Sequence, residues 1–239
     1  WTSGFTGSAG TLVITQDFAG LWTDSRYFVQ ANQQLADSGF ELAKLKVQNT
    51  AEYVSWLADK FTTGNTIAFD GNLASLLVAN TVKQTLEPLG LNVNGHADLL
   101  GPIWENRPSL PTNAAYLLPI EITGKSTADK LAEVRAELKK AHVASHLISS
   151  LDDIAWLFNI RGTDVNCNPV VLSFAYVTQT EAILFIADGK LNEQSIAELK
   201  AAGVEVKSYN EVYNLIENLD VNSILLDPKR TCFAVYDSI

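Results

Sequence analysis

The sequence predicts an α/β fold, because strand-like runs alternate with helix-period runs along almost all of its 239 residues. The run TLVIT at 11–15 is typical of a strand. The segment 26–36 instead has helical periodicity, which places Phe28, Ala31 and Leu35 on one helical face. Apolar residues make up 47% of the chain, which is enough to fill a core and excludes a disordered protein. The order of elements in the first half also returns in the second.

In the first half, Asp24 or Ser25 is placed to cap the first helix. The predicted elements are strand 11–15, a turn at 16–20 into strand 21–23, helix 26–36, strand 40–47, helix 51–61, strand 66–70, helix 73–89 and strand 91–94. We expect them to form one compact unit.

The segment RPSLPTN at 107–113 contains two prolines, which disfavour both helix and regular strand pairing and mark the expected domain boundary. Beyond it, the predicted elements are strand 115–120, helix 128–141, strand 145–149, helix 152–158, strands 170–177 and 182–186, helix 193–202, strand 204–209, helix 211–219 and strand 223–226.

The two halves resemble two copies of one module. In each, a glycine-containing loop leads through strands and helices to a predicted strand with a similar ending, IAFD at Asp70 or ILLD at Asp227. These two aspartates are 157 residues apart in the sequence. The helix-strand-helix at 129–158 has no counterpart ahead of Trp1, and we expect none for helix 73–89 after Asp227. Together with the absence of methionine, this predicts a fragment of a longer protein whose first module is truncated at its start.

Composition disfavours several classes of partner. The net charge of -10 and a pI near 4.7, without a basic run, argue against nucleic acid and against anionic membrane surfaces. The least charged stretch, 165–180, is shorter than the ~20 apolar residues of a spanning helix, which favours a soluble protein. Cys167 and Cys232 lie outside any disulfide or zinc pattern, so a reducing cytosol is the expected compartment.

Most motifs with possible chemistry have a structural explanation. Gly4, Gly7 and Gly10 form GxxGxxG, but the loop leads into a strand rather than a helix, so glycine turn geometry is favoured over a phosphate site. His142 and His146 have the spacing of helical metal ligands, but the predicted helix ends near 141, which separates them.

Two acidic residues, Asp152 and Asp153, could in principle act as a general acid and base, but they open a helix. There a carboxylate complements the helix dipole, so capping is favoured. No catalytic or metal-binding set of residues emerges from the motifs of this chain.

The segment LWTDSRYF at 21–28 allows two interpretations. Asp24 caps the helix and pairs with Arg26 on its first turn, or Arg26 projects from a rigid junction and binds a carboxylate or carbonyl through its fork of donors. Spacing alone favours the first interpretation.

The strings SGFTGSAGTLVIT from Ser3, LWTDSRYFVQA from Leu21, IWENRP from Ile103 and LDDIAWLFNIRGTDVNCNPVVLSFAYVT from Leu151 resemble the cytosolic, three-domain Xaa-Pro aminopeptidases (aminopeptidase P) of the creatinase/prolidase superfamily. The resemblance implies two tandem creatinase N-terminal-like modules, each a mixed sheet flanked by helices, without the C-terminal pita-bread catalytic domain. The expected divisions are 1–106 for domain I, 107–124 for a linker and first strand, and 125–239 for domain II.

The resemblance also implies the removal of an N-terminal residue that precedes proline, by a domain that holds two Mn²⁺ ions with two Asp, one His and two Glu. No catalytic or metal residue is then expected in this chain, which would be inactive alone and would limit substrate access. The arginine of the family's WTDxRYF motif contributes to peptide binding and matches Arg26. Homodimerisation is implied as well, while Arg161 and Asp164 are expected to form a structural turn and a salt bridge.

Two other functions stay open. The chain could belong to an inactive relative that uses this fold to bind proteins, although the intact WTDSRYF segment with Arg26 favours the enzyme. A prolidase-like dipeptidase is disfavoured, because those enzymes usually carry one N-terminal domain and this chain has two modules.

Overall fold

The computed structural model describes residues 1–48 and 50–239, and the chain divides into two compact units. The first unit comprises Trp1–Ala68 and Asn80–Asn94, and the second comprises Phe69–Ala79 and Gly95–Ile239. Across the described residues, we find no helix with the length and apolar character needed to cross a membrane.

The first unit contains a mixed three-stranded sheet in the order β1-β2-β3, in which β2 pairs antiparallel with β1 and parallel with β3. Strands β4 and β5 form a separate parallel pair. The elements are β1 (Thr11–Ile14), β2 (Ala19–Thr23), α1 (Phe28–Gln34), β3 (Glu41–Lys44), α2 (Glu52–Lys60), β4 (Thr66–Ala68), α3 (Leu76–Leu86), which begins in the second unit, and β5 (Asn92–Asn94).

The core of the first unit lies between its sheet and α1. Leu21 of β2 packs with Ala31 and Leu35, two of the three residues predicted to share a helical face. A separate aromatic cluster joins Phe18, Trp22 and Trp56, with ring centroids 4.8–5.8 Å apart. Burial of these apolar side chains fixes the end of β2, where the LWTDSRYF segment turns into helix.

The second unit is built on a mixed five-stranded sheet in the order β11-β10-β9-β7-β12. Apolar clusters lie on both faces, and every residue of β10, which pairs with β11 on one side and β9 on the other, is buried. The elements are β6 (Tyr116–Leu117), α4 (Ile120–Thr123), α5 (Thr127–Lys140), β7 (Ser145–Ile148), α6 (Leu151–Leu157), β8 (Ile160–Arg161), β9 (Ser173–Thr178), β10 (Ala182–Ile186), α7 (Glu193–Ala201), β11 (Glu205–Ser208), α8 (Glu211–Glu217), β12 (Ile224–Leu225) and α9 (Phe233–Asp237).

Strand pairing supports the predicted repeat. In the second unit, β10 pairs antiparallel with β9 and parallel with β11, which is the arrangement of β2 with β1 and β3 in the first. In both copies a helix connects the second strand to the third, and a further helix leads to a short strand, β4 or β12, that ends two residues before Asp70 or Asp227. The predicted α/β class with mixed sheets and flanking helices is confirmed.

The expectation that nothing after Asp227 corresponds to helix 73–89 is wrong. Helix α9 begins six residues after Asp227, as α3 begins six residues after Asp70. In both places a turn is followed by a single bridging residue, and these two residues, Ser75 and Cys232, pair antiparallel with each other. The short run FAVYD offered too little periodicity for a helix to be predicted.

The two corresponding segments bind each other through reciprocal backbone hydrogen bonds within the second unit. Each donor in one copy has its counterpart 157 residues along the chain, so the contact has a local two-fold symmetry. The bonds are Leu76 N to Thr231 O (2.9 Å), Phe233 N to Ala74 O (2.8 Å), Leu77 N to Pro228 O (2.8 Å) and Ala234 N to Gly71 O (2.9 Å).

Predicted strand 115–120 differs most from the structure. Only Tyr116–Leu117 is strand, and the chain enters α4 at Ile120, because Pro119 takes an extended conformation (φ −68°, ψ 158°) that suits the position before a helix. The strands predicted at 40–47 and 170–177 are also shorter, observed as Glu41–Lys44 and Ser173–Thr178.

Candidate functional site

Asp24 and Arg26 form a tightly organised pair at the end of β2. Asp24 is the N-cap of a 3₁₀ turn, Ser25–Tyr27, and its Oδ1 accepts from the backbone N of Arg26 at 3.1 Å. The same oxygen accepts from Arg26 Nε at 2.8 Å, and Oδ2 accepts from Nη2 at 2.7 Å. Both features predicted for Asp24, the cap and the pairing with Arg26, are confirmed.

The two partners differ greatly in exposure. The Asp24 side chain is 4% exposed and that of Arg26 is 56% exposed. Hydrogen bonds from the Arg26 guanidinium hold the pKa of the Asp24 carboxyl below its ordinary value, against the opposing effect of burial. The pair therefore stays ionised at neutral pH, with a buried anion and a cation that reaches solvent.

Tyr27 links this pair to the glycine loop at 4–10. The Arg26 guanidinium lies 5.2 Å from the centroid of the Tyr27 ring, and the Tyr27 hydroxyl lies 2.5 Å from Ser8 Oγ. At the end of β2, buried Thr23 donates from Oγ1 to the carbonyl of Ala9 at 2.6 Å. The two strings that carried much of the family resemblance are thus neighbours in the fold.

Close packing explains two of the three glycines in the loop. A Cβ at Gly7 would clash with the ring of Phe5 and come within 2.8 Å of Tyr27 Cδ1, and one at Gly10 would come within 2.8 Å of Leu21 Cδ1. Of the three glycines, only Gly4 has the positive φ (73°) expected of a glycine turn. The loop supports the segment that carries Arg26 through its contacts with Thr23 and Tyr27. It leads into strand β1 and not into a helix, as predicted.

The other predicted candidates do not join this site. His142 follows the end of α5 in a left-handed conformation (φ 56°), whereas His146 lies in β7, so the two are separated as predicted. Burial lowers the pKa of His146, and nearby Asp153 acts in the opposite direction. Asp152 and Asp153 lie in the first turn of α6, where carboxylates complement the helix dipole, as predicted.

The predicted salt bridge between Arg161 and Asp164 is wrong. Arg161 Nη1 donates to the carbonyls of Ala155 (2.7 Å) and Ile160 (2.9 Å). Asp164 pairs instead with Lys190 at 2.6 Å, and both side chains are buried. This cation lies 26 residues further along the chain, so local spacing could not indicate it.

Within residues 1–48 and 50–239, no three His, Cys, Asp or Glu residues are grouped so that they could hold a metal ion. The residues present therefore do not fit a dinuclear centre, and we assign no metal-dependent step to them.

Sequence reasoning missed the roles of Ser8 and Tyr27 beside Arg26. Both residues stand in strings that resemble the family, but 19 residues separate them. Their contact depends on the β1–β2 register, which pairs Thr11 with Trp22 and so brings the loop before β1 against the segment after β2.

Comparison with known proteins places these features in a family. Two family models, each described as a creatinase/prolidase N-terminal domain, match residues 1–94 and 106–239. Proteins of Neurospora crassa and Chaetomium globosum, both named probable Xaa-Pro aminopeptidase P, are 39% and 40% identical to the chain. The alignments cover 91% and 88% of this chain but 32% and 34% of those proteins, so the chain spans about a third of their length.

A solved structure shows the same fold. X-prolyl aminopeptidase from Caenorhabditis elegans, described as a cytosolic enzyme with a di-nuclear active site, matches with a TM-score of 0.93 and 32% identity. The match covers 99% of this chain and 40% of that protein. Both modules and the fold thus confirm the resemblance, and the chain belongs to the creatinase/prolidase N-terminal domain family.

Proposed function

We propose that this chain is the non-catalytic N-terminal part of a metal-dependent Xaa-Pro aminopeptidase, which removes the N-terminal residue of peptides whose second residue is proline. Support comes from relatives that carry this name and from the extent of the chain that aligns with them. In this proposal the two family domains shape the access of peptides to a catalytic domain, and the chain alone is inactive.

Three finer features belong to the same proposal. The catalytic domain holds two Mn²⁺ ions, in keeping with the di-nuclear active site of the Caenorhabditis elegans enzyme. The full-length protein is a cytoplasmic homodimer. The N-terminal modules contribute Arg26 to the binding of the peptide.

The exposed guanidinium of Arg26 is the observation that carries its proposed role. Asp24 fixes the side chain through Nε and Nη2, while no described residue accepts a hydrogen bond from Nη1. A cation held in one orientation with unused donors is suited to bind a peptide oxygen, because little side-chain entropy remains to be lost.

Substitution of Arg26 in the full-length enzyme tests this role. We expect Arg26→Ala to lower kcat/KM for a proline-containing peptide by about tenfold to a hundredfold, because a charge-assisted hydrogen bond to the peptide is lost. Steady-state kinetics are measured together with metal content and the unfolding midpoint, both of which should remain near those of the wild type.

Arg107→Ala is the matched control, because Arg107 also pairs with an aspartate (Asp98, 2.9 Å) and its side chain is 43% exposed. We expect the control to retain wild-type kinetics. If Arg26→Ala does so as well, Arg26 is only a structural partner of Asp24.

The length and sequence of the native polypeptide distinguish the enzyme proposal from a protein-binding function. Intact mass and peptide sequencing should reveal a chain more than twice this length, with a C-terminal domain that carries the Asp, Asp, His, Glu and Glu metal ligands. A native protein without those ligands would establish the alternative, a binding module of an inactive relative.

A further inference from the structure

The guanidinium of Arg26 is only partly available to a ligand. A guanidinium presents five N–H donors along two edges that can each bind a carboxylate. Asp24 occupies the edge formed by Nε and Nη2, with two bonds of 2.8 and 2.7 Å. The donors that remain, on Nη1 and on the far side of Nη2, have no acceptor among the described residues, and the side chain is 56% exposed.

The charge of the pair also matters for what can bind. Asp24 is ionised and almost fully buried beside Arg26, so the two charges cancel at the surface that Arg26 presents. A second carboxylate on the free edge would have the Asp24 carboxylate as a like-charged neighbour across one guanidinium. A neutral carbonyl oxygen would accept the same hydrogen bonds without that repulsion.

We propose that Asp24 is a positioning residue that makes Arg26 select a neutral peptide carbonyl over a terminal carboxylate. This inference rests on the proposed function and deepens it, since it defines the substrate class. The preferred substrates are peptides whose chain continues past the residue that contacts Arg26, and a peptide that ends there with a free carboxylate is a poorer substrate.

The cap alone does not require an aspartate. Asn and Ser serve as N-caps about as well as Asp, so the backbone bond to Arg26 N can be kept without the charge. In Asp24→Asn the amide oxygen can still accept from Arg26 N and Nε, but the amide NH2 cannot accept from Nη2, and the net charge of the pair rises from zero to one positive. Asp24→Asn thereby keeps the cap and the bond to Nε, and it removes the negative charge together with the bond to Nη2.

The test uses the full-length enzyme and matched peptides of three to six residues, with proline second, each made with a free C-terminal carboxylate and as the C-terminal amide. For each length, the ratio of kcat/KM for the acid to that for the amide is measured on one preparation, so that any partial loss of folded enzyme cancels. At the length that brings the terminus to Arg26, we expect the wild type to favour the amide by about threefold to tenfold.

In Asp24→Asn we expect the ratio at that length to shift toward the acid by a similar factor, and the shift to shrink at high salt. Ratios at the other lengths should not change. Asp24→Ser is a second neutral cap that serves if Asp24→Asn yields too little folded enzyme. Asp17→Asn is the matched control, because it removes the same charge from an exposed pair with Lys60 (3.2 Å) in the same unit, and it should leave every ratio unchanged.

The outcomes distinguish this inference from the proposed function. Wild-type kinetics for Arg26→Ala on all peptides would overturn both. Impaired hydrolysis by Arg26→Ala, together with an acid-to-amide ratio in Asp24→Asn equal to that of the wild type at every length, would overturn only the role of Asp24.

Discussion

The two units each contain a short aspartate–cation pair, and the two pairs differ mainly in exposure. Asp24 and Arg26 lie 2.7 Å apart with side chains 4% and 56% exposed, whereas Asp164 and Lys190 lie 2.6 Å apart with side chains 0% and 1% exposed. In both pairs the carboxylate is buried. Only in the first does the cation reach solvent.

This difference separates a pair whose cation has donors left over from one whose cation uses all its donors within the fold. Lys190 uses all three of its donors inside the protein, because Nζ also donates to the carbonyls of Pro111 and Asn113 at 2.9 Å each. Within the second unit it thereby ties the proline-containing segment 107–113 to the loop that follows β10. Arg26 keeps the donors of Nη1 free of any acceptor among the described residues, which is the physical basis for its proposed contact with peptide.

The largest expected effect comes from breaking the buried pair. We expect Lys190→Met to lower the free energy of unfolding by about 3–5 kcal/mol, because it leaves Asp164 buried without its counter-charge. The midpoint of urea unfolding measures this loss.

A double variant sharpens that result. In Lys190→Met with Asp164→Asn, the lone buried charge is gone and the amide oxygen can still accept from Leu172 N, so part of the loss should be recovered. A double variant as unstable as the single one would show that the two backbone carbonyls, rather than the ion pair, carry the stabilisation.

An intermediate effect is expected from the loop that braces the exposed pair. Gly7→Ala should destabilise the protein by about 1–3 kcal/mol, because its methyl group meets the rings of Phe5 and Tyr27. Gly4→Ala in the same loop is the control, since its Cβ has open space and the cost of about 1 kcal/mol comes from the positive φ alone. Urea unfolding compares the two, and a smaller loss in Gly7→Ala would contradict the packing argument.

The smallest expected effect is a loss of stability at acidic pH, which depends on the ionisation of Asp24. The pKa of Asp24 is depressed in the folded protein, so its stabilising contribution is complete above the unfolded value near 3.8 and is lost as pH falls through the folded value. The difference in unfolding midpoint between wild type and Asp24→Asn should be constant from pH 5 to 8 and narrow below pH 4. A difference that widens in acid would have the wrong sign for this pair.

Local chemistry in the sequence predicted one pair and failed for the other. Asp24 and Arg26 are two residues apart at a strand-to-helix junction, so the cap and the ion pair follow from the chain itself. Asp164 had a nearer candidate partner in Arg161, and the preference for Lys190 is decided by where β10 ends in the folded sheet. Pairing between distant charges depends on the tertiary fold, which spacing does not encode.

Secondary-structure elements also divide into those that local sequence predicts and those that depend on the tertiary fold. Strand β10 was predicted with its observed bounds, because a continuous apolar run at 182–186 is typical of a strand buried on both faces. The short elements α4, β8 and α9 were not predicted, since two to five residues show no periodicity and owe their conformation to their neighbours. Repeat order was visible in the sequence, but the bonds between the copies were not.

Those reciprocal bonds bear on the order in which the chain can fold. They join segments 157 residues apart, so their formation closes one of the longest loops in the molecule and must wait until both ends are shaped. The piece that closes the loop, Phe69–Ala79, comes from the first repeat but belongs to the second unit. Synthesis from the N-terminus therefore leaves this piece without its partner until Pro228–Ala234 has been made, and we expect Phe69–Ala79 to fold together with the second unit rather than with its own repeat.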